Sequence, residues 1–489
     1  MSNQLASFDY DLPVPFSVKY GDQSRSVECL EVVRVLPGRR LVCWGRLAGN
    51  DVYIKIFVHP KHAQRDWQRE IEGAHALEAA RVVSPQLLDS GELIDGHGFV
   101  VVYEAIYPCC SFREAWLLAG EAEQIDDDSH ELLLLQLVLE VAHMHKMGLS
   151  QQDLHLDNFI FHDQQLYVLD AGGIHAHGGS LDKSTSLDNL MLLFAQFTSD
   201  NDVRIKQNLN NYAMVRGLEF TDSDMDTALE QVKQRRQYRQ RKFLSKVYRE
   251  CSAFISRQTL NSRLMLDRQQ ATASVWKMLA DPDAMMGDGN FQRIKSGNTC
   301  TLSNGVIDDR PIVIKRYNLK NVWHGLGRAL RRTRASISWE NAHLLRFHGI
   351  STPRPLALLE RRFGPLRGRA WFIMSHVDGP DSMEYFTSGA VDADAKYAIA
   401  LKFGYLFKSL VSHKISHGDM KASNFIIHAG EPVLLDLDAM KQHRSSASFE
   451  PVHNKDMQRF LKNWQDHPDI TVLFEQAFAR AGVTLTASH

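Results

Sequence analysis

The sequence predicts an α+β fold arranged as two tandem units, on three observations. A chain of 489 residues is too long for one ordinary hydrophobic core. Short strands with alternating or continuous apolar pattern are interleaved with segments of helical period. Ordered blocks of the first half also recur in the second half at a nearly constant offset, far too long a period for a solenoid.

The repeat is densest in two polar runs, "LSQQDLHLDNFIFHDQQLYVLDAG" (149–172) and "ISHGDMKASNFIIHAGEPVLLDLD" (415–438). Aligned at an offset of 266, residues 150–170 and 416–436 are identical at eight positions, among them Asp153/Asp419, Asn158/Asn424, His162/His428 and Asp170/Asp436. Upstream, 72–85 aligns without gaps on 340–353 and pairs Glu72 with Glu340 and His75 with His343. Further upstream "VYIKIF" parallels "IVIKRY", pairing Lys55 with Lys315. The expected domains are 1–285, including a basic helical segment near 230–250, and 286–489.

In the second unit a turn-rich segment with Gly297 and Gly305 precedes the strand "PIVIKRY". The helix "ASISWENAHLLRFHG" follows, apolar at helical spacing and stopped by Gly349. "STPRPLALLE" and "RAWFIMSHV" read as strands, and a long helix over about 392–413 leads to the loop of Asp419 and the strands "NFIIH" and "PVLLDLD". The first unit repeats this order, with Gly38 and Gly45 before its lysine strand and "ELLLLQLVLEVAHMHKMG" (131–148) as its long helix.

Composition excludes several classes. The 44% apolar and 23% charged content is that of a globular protein, and a net charge of -2 argues against a general nucleic-acid binder. Six cysteines form no C-x-x-C pair or zinc spacing, as expected of reduced thiols. The N-terminus lacks a basic and apolar leader, and 131–148 carries Glu140 and two histidines, so it reads as a buried core helix. A cytoplasmic protein is expected. The recurring histidines His75/His343 and His162/His428 read as packing or capped hydrogen bonds, without metal.

The polar runs carry the chemistry. Asp419, Asn424 five positions on and Asp436 twelve beyond that repeat the spacing of Asp153, Asn158 and Asp170. A carboxylate, an amide and a second carboxylate at loop and strand ends can converge on one divalent ion and one substrate hydroxyl, as phosphoryl transfer requires. Magnesium takes oxygen ligands in such incomplete cages. The cation is Lys315, or Lys55, in an apolar strand where an unpaired ammonium would be costly. Glu340 and Glu72 on the following helices are the expected partners.

This resembles the strand lysine, helix glutamate and catalytic loop of protein kinases, with H-G-D-M-K-A-S-N for H-R-D-x-x-x-x-N and "DLD" or "DAG" in place of D-F-G. "RRTRASISWENAHLLRFHGISTPRPLALLE", "SHGDMKASNFI" and "KDMQRFLKNW" narrow the resemblance to the bacterial lipopolysaccharide kinase (Kdo/WaaP-type) family, densest over 290–465 and recognisable over about 30–200. The resemblance implies two tandem bilobal protein-kinase-like domains, each with a small β-rich N-lobe and a mainly helical C-lobe. It implies an ATP- and Mg2+-dependent kinase phosphorylating heptose or Kdo hydroxyls of the lipopolysaccharide inner core. Lys315 and Glu340 would hold ATP, Asp419 would be the catalytic carboxylate with Lys421 beside the transferred phosphate, and Asn424 and Asp436 would bind magnesium. His417, Asp456 and Asp188 would be structural near the site.

The first unit keeps Lys55, Glu72, Asp153, Asn158 and Asp170, but Gln151 replaces His417, and His155 stands where Lys421 does. The lost histidine usually braces the loop, so the C-terminal unit is the expected active one. Gly38 and Gly297 mark expected nucleotide lids. The segment 232–249 holds eight Lys/Arg and no acid, and 327–334 adds four arginines. The two reads are a solvated helix face or a patch for anionic lipid at the inner face of the inner membrane. Nucleic acid is not expected, because no aromatic stacking platform accompanies the charge. The partners are then ATP and a lipopolysaccharide core or lipid-linked saccharide acceptor. The alternatives left open are a pseudokinase scaffold or regulator of envelope assembly, or a kinase for protein Ser/Thr or another small hydroxyl substrate.

Overall fold

A computed structural model describes residues 12–21, 25–94, 98–121, 127–287, 289, 291–297, 299–318, 331–364 and 366–483. The chain divides into two compact units, Met1–Arg239 and Gln240–His489. The division falls earlier than the 285/286 break expected from sequence. The reason is the hairpin Phe254–Gln258/Ser262–Asp267, whose second strand pairs in antiparallel register with Pro355–Phe363 and so completes the sheet of the second unit.

The first unit opens with a six-stranded antiparallel sheet in the order Phe16–Tyr20, Arg25–Leu36, Arg40–Leu47, Asn50–Phe57, Phe99–Glu104, Leu87–Glu92. The alternation that defines these strands is visible in Phe16–Tyr20, where Phe16, Val18 and Tyr20 are buried and the residues between them exposed. The helix Ala63–Ala79 lies between the lysine strand Asn50–Phe57 and Leu87–Glu92 in the chain and turns Glu70, Gly73, Ala74 and Leu77 inward. Among the described residues the helices Phe112–Glu121, Asp127–Lys146, Lys183–Phe194 and Asp202–Arg216 follow, and Asp222–Lys246 begins in this unit and ends seven residues past Arg239. The leucine-rich helix is the buried core helix the sequence predicts, with Leu134, Leu137, Val138, Val141 and Ala142 excluded from solvent. Among the described residues no helix is long and apolar enough to cross a membrane.

The second unit has a seven-stranded sheet in which the lysine strand Arg310–Tyr317 lies between Cys300–Ile307 and Leu366–Ser375. The helix Arg334–Phe347 begins at Thr333, whose hydroxyl accepts from Ser336 N at 3.0 Å, and gives way to Gly349 at φ 73°. The long helix Ala393–Ser412 is capped in the same way by Asp392. Phe403, Phe407, Phe425, Phe460, Trp464, Phe474 and Phe478 pack as one aromatic core behind the Asp419 loop. Each unit is therefore a mixed α/β body: an antiparallel sheet, the helix after the lysine strand packed against it, and a helical portion holding the polar loop; in the second unit the helices Ala273–Ala280 and Pro282–Gly287 also pack on the sheet.

Within 232–249, Arg236 and Arg239 are spent inside the fold, whereas Lys233, Arg241, Lys242, Lys246 and Arg249 are exposed. Arg236 donates to Phe197 O at 2.7 Å and pairs with Asp202, and Arg239 donates to Ala195 O at 2.5 Å, meeting the carbonyls at the end of helix Lys183–Phe194. Phe243 stacks on Phe347. Of 327–334, residues 327–330 lie outside the described residues. Arg332 pairs with Glu340 and Arg334 with Asp438, each at 2.7 Å.

Candidate active site

In the second unit the Asp419 loop is held by its backbone. Asp456 accepts from His417 N at 2.7 Å and Gly418 N at 2.9 Å. His417 Nε2 donates to Leu435 O at 2.8 Å, while its Nδ1 faces the amide of Asp419 at 3.3 Å. Gly418 is at φ 82°, a conformation that strains any side chain, and a Cβ there would press on Cβ and O of Ala439 at 3.1 Å. Asn424 Nδ2 donates to Asp419 O at 2.7 Å, and Leu435 N returns a bond to Asn424 O at 2.8 Å. Leu435 carries the chain into Asp436, in the left-handed region at φ 55°. Asp436 Oδ1 sits 2.5 Å from Lys315 Nζ. The Asp419 carboxylate is flanked by Arg459 at 2.7 Å and Lys421 at 3.1 Å.

The first unit builds the same lattice from different residues. Asn158 Nδ2 meets Asp153 O at 2.7 Å, Leu169 N meets Asn158 O at 2.7 Å, and Asp170 is at φ 60°. Gln151 Nε2 donates to Leu169 O at 2.8 Å, occupying the place of His417. The bracing side chain is Asn189, which donates to Gln151 O at 2.8 Å. Asp188, to which sequence assigned that role, instead forms a surface ion pair with Arg235 at 2.8 Å. One step along the helix Lys183–Phe194 turns a side chain by about 100°, which places Asn189 inward and Asp188 outward. His162 and His428 are the hydrogen-bonding histidines expected, each with Nδ1 2.7 Å from a carbonyl, of Pro108 and Asp378 respectively.

The helix glutamates are corrected. Lys55 Nζ pairs with Glu70 at 2.5 Å and Asp170 at 3.3 Å, whereas Glu72 is exposed. Lys315 pairs with Asp436 and, at 3.3 Å, with Asp438, whereas Glu340 is taken by Arg332. Residues two apart on a helix point about 200° apart. Glu72 therefore cannot share the inward face with Gly73, Ala74 and Leu77, and Glu70 does. That face is legible in the sequence, since 70, 74 and 77 follow the helical period, whereas the identity across the repeat falls on Glu72 and Glu340.

The electrostatics agree with the geometry. Burial alone would raise the Asp170 carboxyl, but the Lys55 ammonium and the Arg40 guanidinium hold it below its usual value. Asp436 is likewise lowered, chiefly by Lys315 against the burial that would raise it. Lys315 is buried, which favours its neutral form, yet Tyr317 and the two aspartates raise it, so it stays an ammonium.

Beneath the hairpin carrying Gly38, a cavity of about 350 Å³ is lined by Arg34, Arg40, Lys55, Glu70, Asn158 and Asp170 among others, a volume within the range of small-molecule sites. Gly38, at φ 63°, forms the hairpin turn. In the second unit Gly297 occupies the turn between Phe291–Ser296 and Cys300–Ile307, and the space beside Lys315 and Asp436 is about 20 Å³. The donor set in both units, an amide oxygen left free by its engaged nitrogen and an adjacent carboxylate, suits a hard cation such as Mg2+ completed by phosphate and water. Among the described residues no group of three or more His, Cys, Asp and Glu could hold a metal ion.

A strand lysine, a braced loop aspartate and an asparagine–aspartate pair are the parts that phosphoryl transfer requires. Residues 294–480 match the model of the Lipopolysaccharide kinase (Kdo/WaaP) family. No curated protein matches the chain. Among solved structures, a cysteine-to-alanine mutant of the Mycobacterium tuberculosis PknI kinase domain is 16% identical with a TM-score of 0.24, covering 33% of this chain. The chain spans 63% of that domain's length.

Proposed function

We propose that the protein is an ATP- and Mg2+-dependent phosphotransferase of the lipopolysaccharide kinase type, built from two tandem bilobal kinase-like domains. Its acceptor would be a heptose or Kdo hydroxyl of the lipopolysaccharide inner core or a lipid-linked saccharide. The family match over 294–480 supports the class. The observation that carries the reading is the convergence of Lys315, Asp436 and the Asn424–Asp419 pair in one braced lattice. Asp419 orients the acceptor hydroxyl and receives its proton as the oxygen attacks, with Lys421 beside the incoming phosphate. Lys315 holds the phosphates of ATP, and Asn424 and Asp436 hold magnesium, which would neutralise charge on the transferred group. His417 and Asp456 fix the loop.

The first unit is proposed to hold a second nucleotide, with Lys55 on its phosphates, Asn158 and Asp170 on the ion and Asp153 in the catalytic position. Its wide cavity and intact Lys55–Glu70 pair favour binding there. Cys109 lines that cavity and is exposed. Mg-ATP should therefore slow alkylation of Cys109 in the intact chain; an unchanged rate at saturating nucleotide would remove the first unit as a nucleotide site. Phosphate transfer from ATP to purified core saccharide, compared among wild type, Asp419→Ala and Asp153→Ala, tests the whole reading. Activity indifferent to both substitutions defeats it. The site of action is taken to be the cytoplasmic face of the inner membrane, with Arg241, Lys242, Lys246 and Arg249 as the basic residues of 232–249 to test for salt-dependent binding to anionic vesicles.

A further inference from the structure

The two lysines draw a carboxylate from opposite sides, and the exchange can be followed atom by atom. Asn341 donates to Leu437 O at 2.9 Å, and a Cβ on Gly73 would stand 1.9 Å from Ala171 O. Gly73 and Asn341 therefore occupy the same place over the same strand-end carbonyl. Three residues back along each helix, Glu70 corresponds to Ser338. One residue past each carbonyl, Gly172 corresponds to Asp438. A helix glutamate facing a strand-end glycine in one unit is a helix serine facing a strand-end aspartate in the other.

Space and hydrogen bonding follow the exchange. A Cβ on Gly172 would lie 2.6 Å from Glu70 Oε2, so the long carboxylate and a side chain at that position exclude one another. In the first unit Tyr103 gives its hydroxyl to Glu70 at 3.0 Å. Met374 occupies the matching register position in the second unit, opposite Val313 as Tyr103 is opposite Tyr53. The hydroxyl there comes instead from Tyr317, 2.8 Å from Ser338 Oγ, at the position of Phe57. Asp438, 6% exposed, bridges Lys315 at 3.3 Å and Arg334 at 2.7 Å.

We propose that Asp438 is the positioning residue for Lys315, having taken over in the C-terminal unit the task that Glu70 performs for Lys55. Glu340 has no part in holding this lysine. The proposal rests on the phosphotransferase reading only for the lysine's purpose; the exchange itself is a matter of packing and charge.

The test is a cycle in the full-length chain, read by acetylation of Lys315 with an amine-reactive ester at fixed pH, followed by peptide mass spectrometry, and by thermal unfolding. Asp438→Gly should speed acetylation of Lys315 by on the order of tenfold, about the worth of one hydrogen bond to a charged group, as the ammonium loses one of the two carboxylates that hold it. Ser338→Glu alone should lower the melting temperature, since two carboxylates crowd one space. Ser338→Glu with Asp438→Gly should return both readouts toward wild type, and Glu340→Gln should leave the Lys315 rate unchanged. Asp438→Asn gives the same rate test if the glycine variant does not fold. A double variant no better than the sum of the singles, or a Lys315 rate indifferent to Asp438, overturns the proposal and points to Asp438 serving a ligand alone. Neither readout needs ATP, so failure of phosphate transfer with a closed cycle would defeat the function and leave this exchange standing.

Discussion

Gln151 Nε2 donates to Leu169 O at 2.8 Å, the distance at which His417 Nε2 meets Leu435 O. An amide and an imidazole thus serve one carbonyl in the two units, and the loop of Asp153 keeps the lattice of the loop of Asp419. Gln151→His should consequently be tolerated. Gln151→Ala should cost about 1 kcal/mol, the net worth of a typical hydrogen bond, plus the penalty of a stranded carbonyl. Denaturant midpoints of the three proteins check this.

Asp456 and Asp188 separate a bracing carboxylate from a solvated one. Asp456, 3% exposed, accepts from two loop amides. Asp456→Asn presents a donor nitrogen to one of them and should cost about 1–3 kcal/mol. Asp188→Asn removes an exposed pair with Arg235 and should stay within about 1 kcal/mol of wild type. Chemical denaturation of both variants decides.

Lys315 neutralises Asp436 and the buried Asp438. Lys315→Met leaves Asp436 without its ammonium partner and Asp438 with Arg334 alone, and should destabilise the second unit by about 1.5–3 kcal/mol, the worth of a hydrogen bond to a charged group. On the proposed function it should also abolish Mg-ATP binding at that unit. A melting temperature equal to wild type would contradict the pairing.

His343 is buried against Trp339, Phe254 and Phe243, and burial pushes its imidazole down to about 3. Its unfolded form titrates near the ordinary value of about 6.5. Between those values the unfolded state binds the extra proton, so stability is full above about pH 6.5 and falls as pH drops, by about 1.4 kcal/mol per unit for this group. His343→Leu should flatten the acid limb of stability against pH by that slope. An unaltered slope would show that His343 is not carried neutral in the fold.

The repeat made the lattice legible because its parts are local. Asp419 and Asn424 are five apart, and an asparagine that caps the carbonyl of a nearby aspartate needs no distant partner. The helices and strands were legible for the same reason: their periods and caps, such as Thr333 and Asp392, are written in neighbouring residues. The carboxylate partner of each lysine was not. Sequence identity favoured Glu72 and Glu340, but choosing between helix positions two apart depends on which face the sheet covers. The extra hairpin 254–267 was missed because its pairing partner, Pro355–Phe363, lies about ninety residues on.

By itself, the sequence determined the tandem α+β units, the strand lysines and the aspartate–asparagine–aspartate spacing, since these follow from short-range pattern and internal repetition. Only the tertiary structure decided which carboxylate meets each ammonium, because that contact joins a sheet, a helix and a strand end brought together by packing. A serine for a glutamate and an aspartate for a glycine are separate differences in the chain. They become one exchange only where the helix and strand end meet beside Lys315.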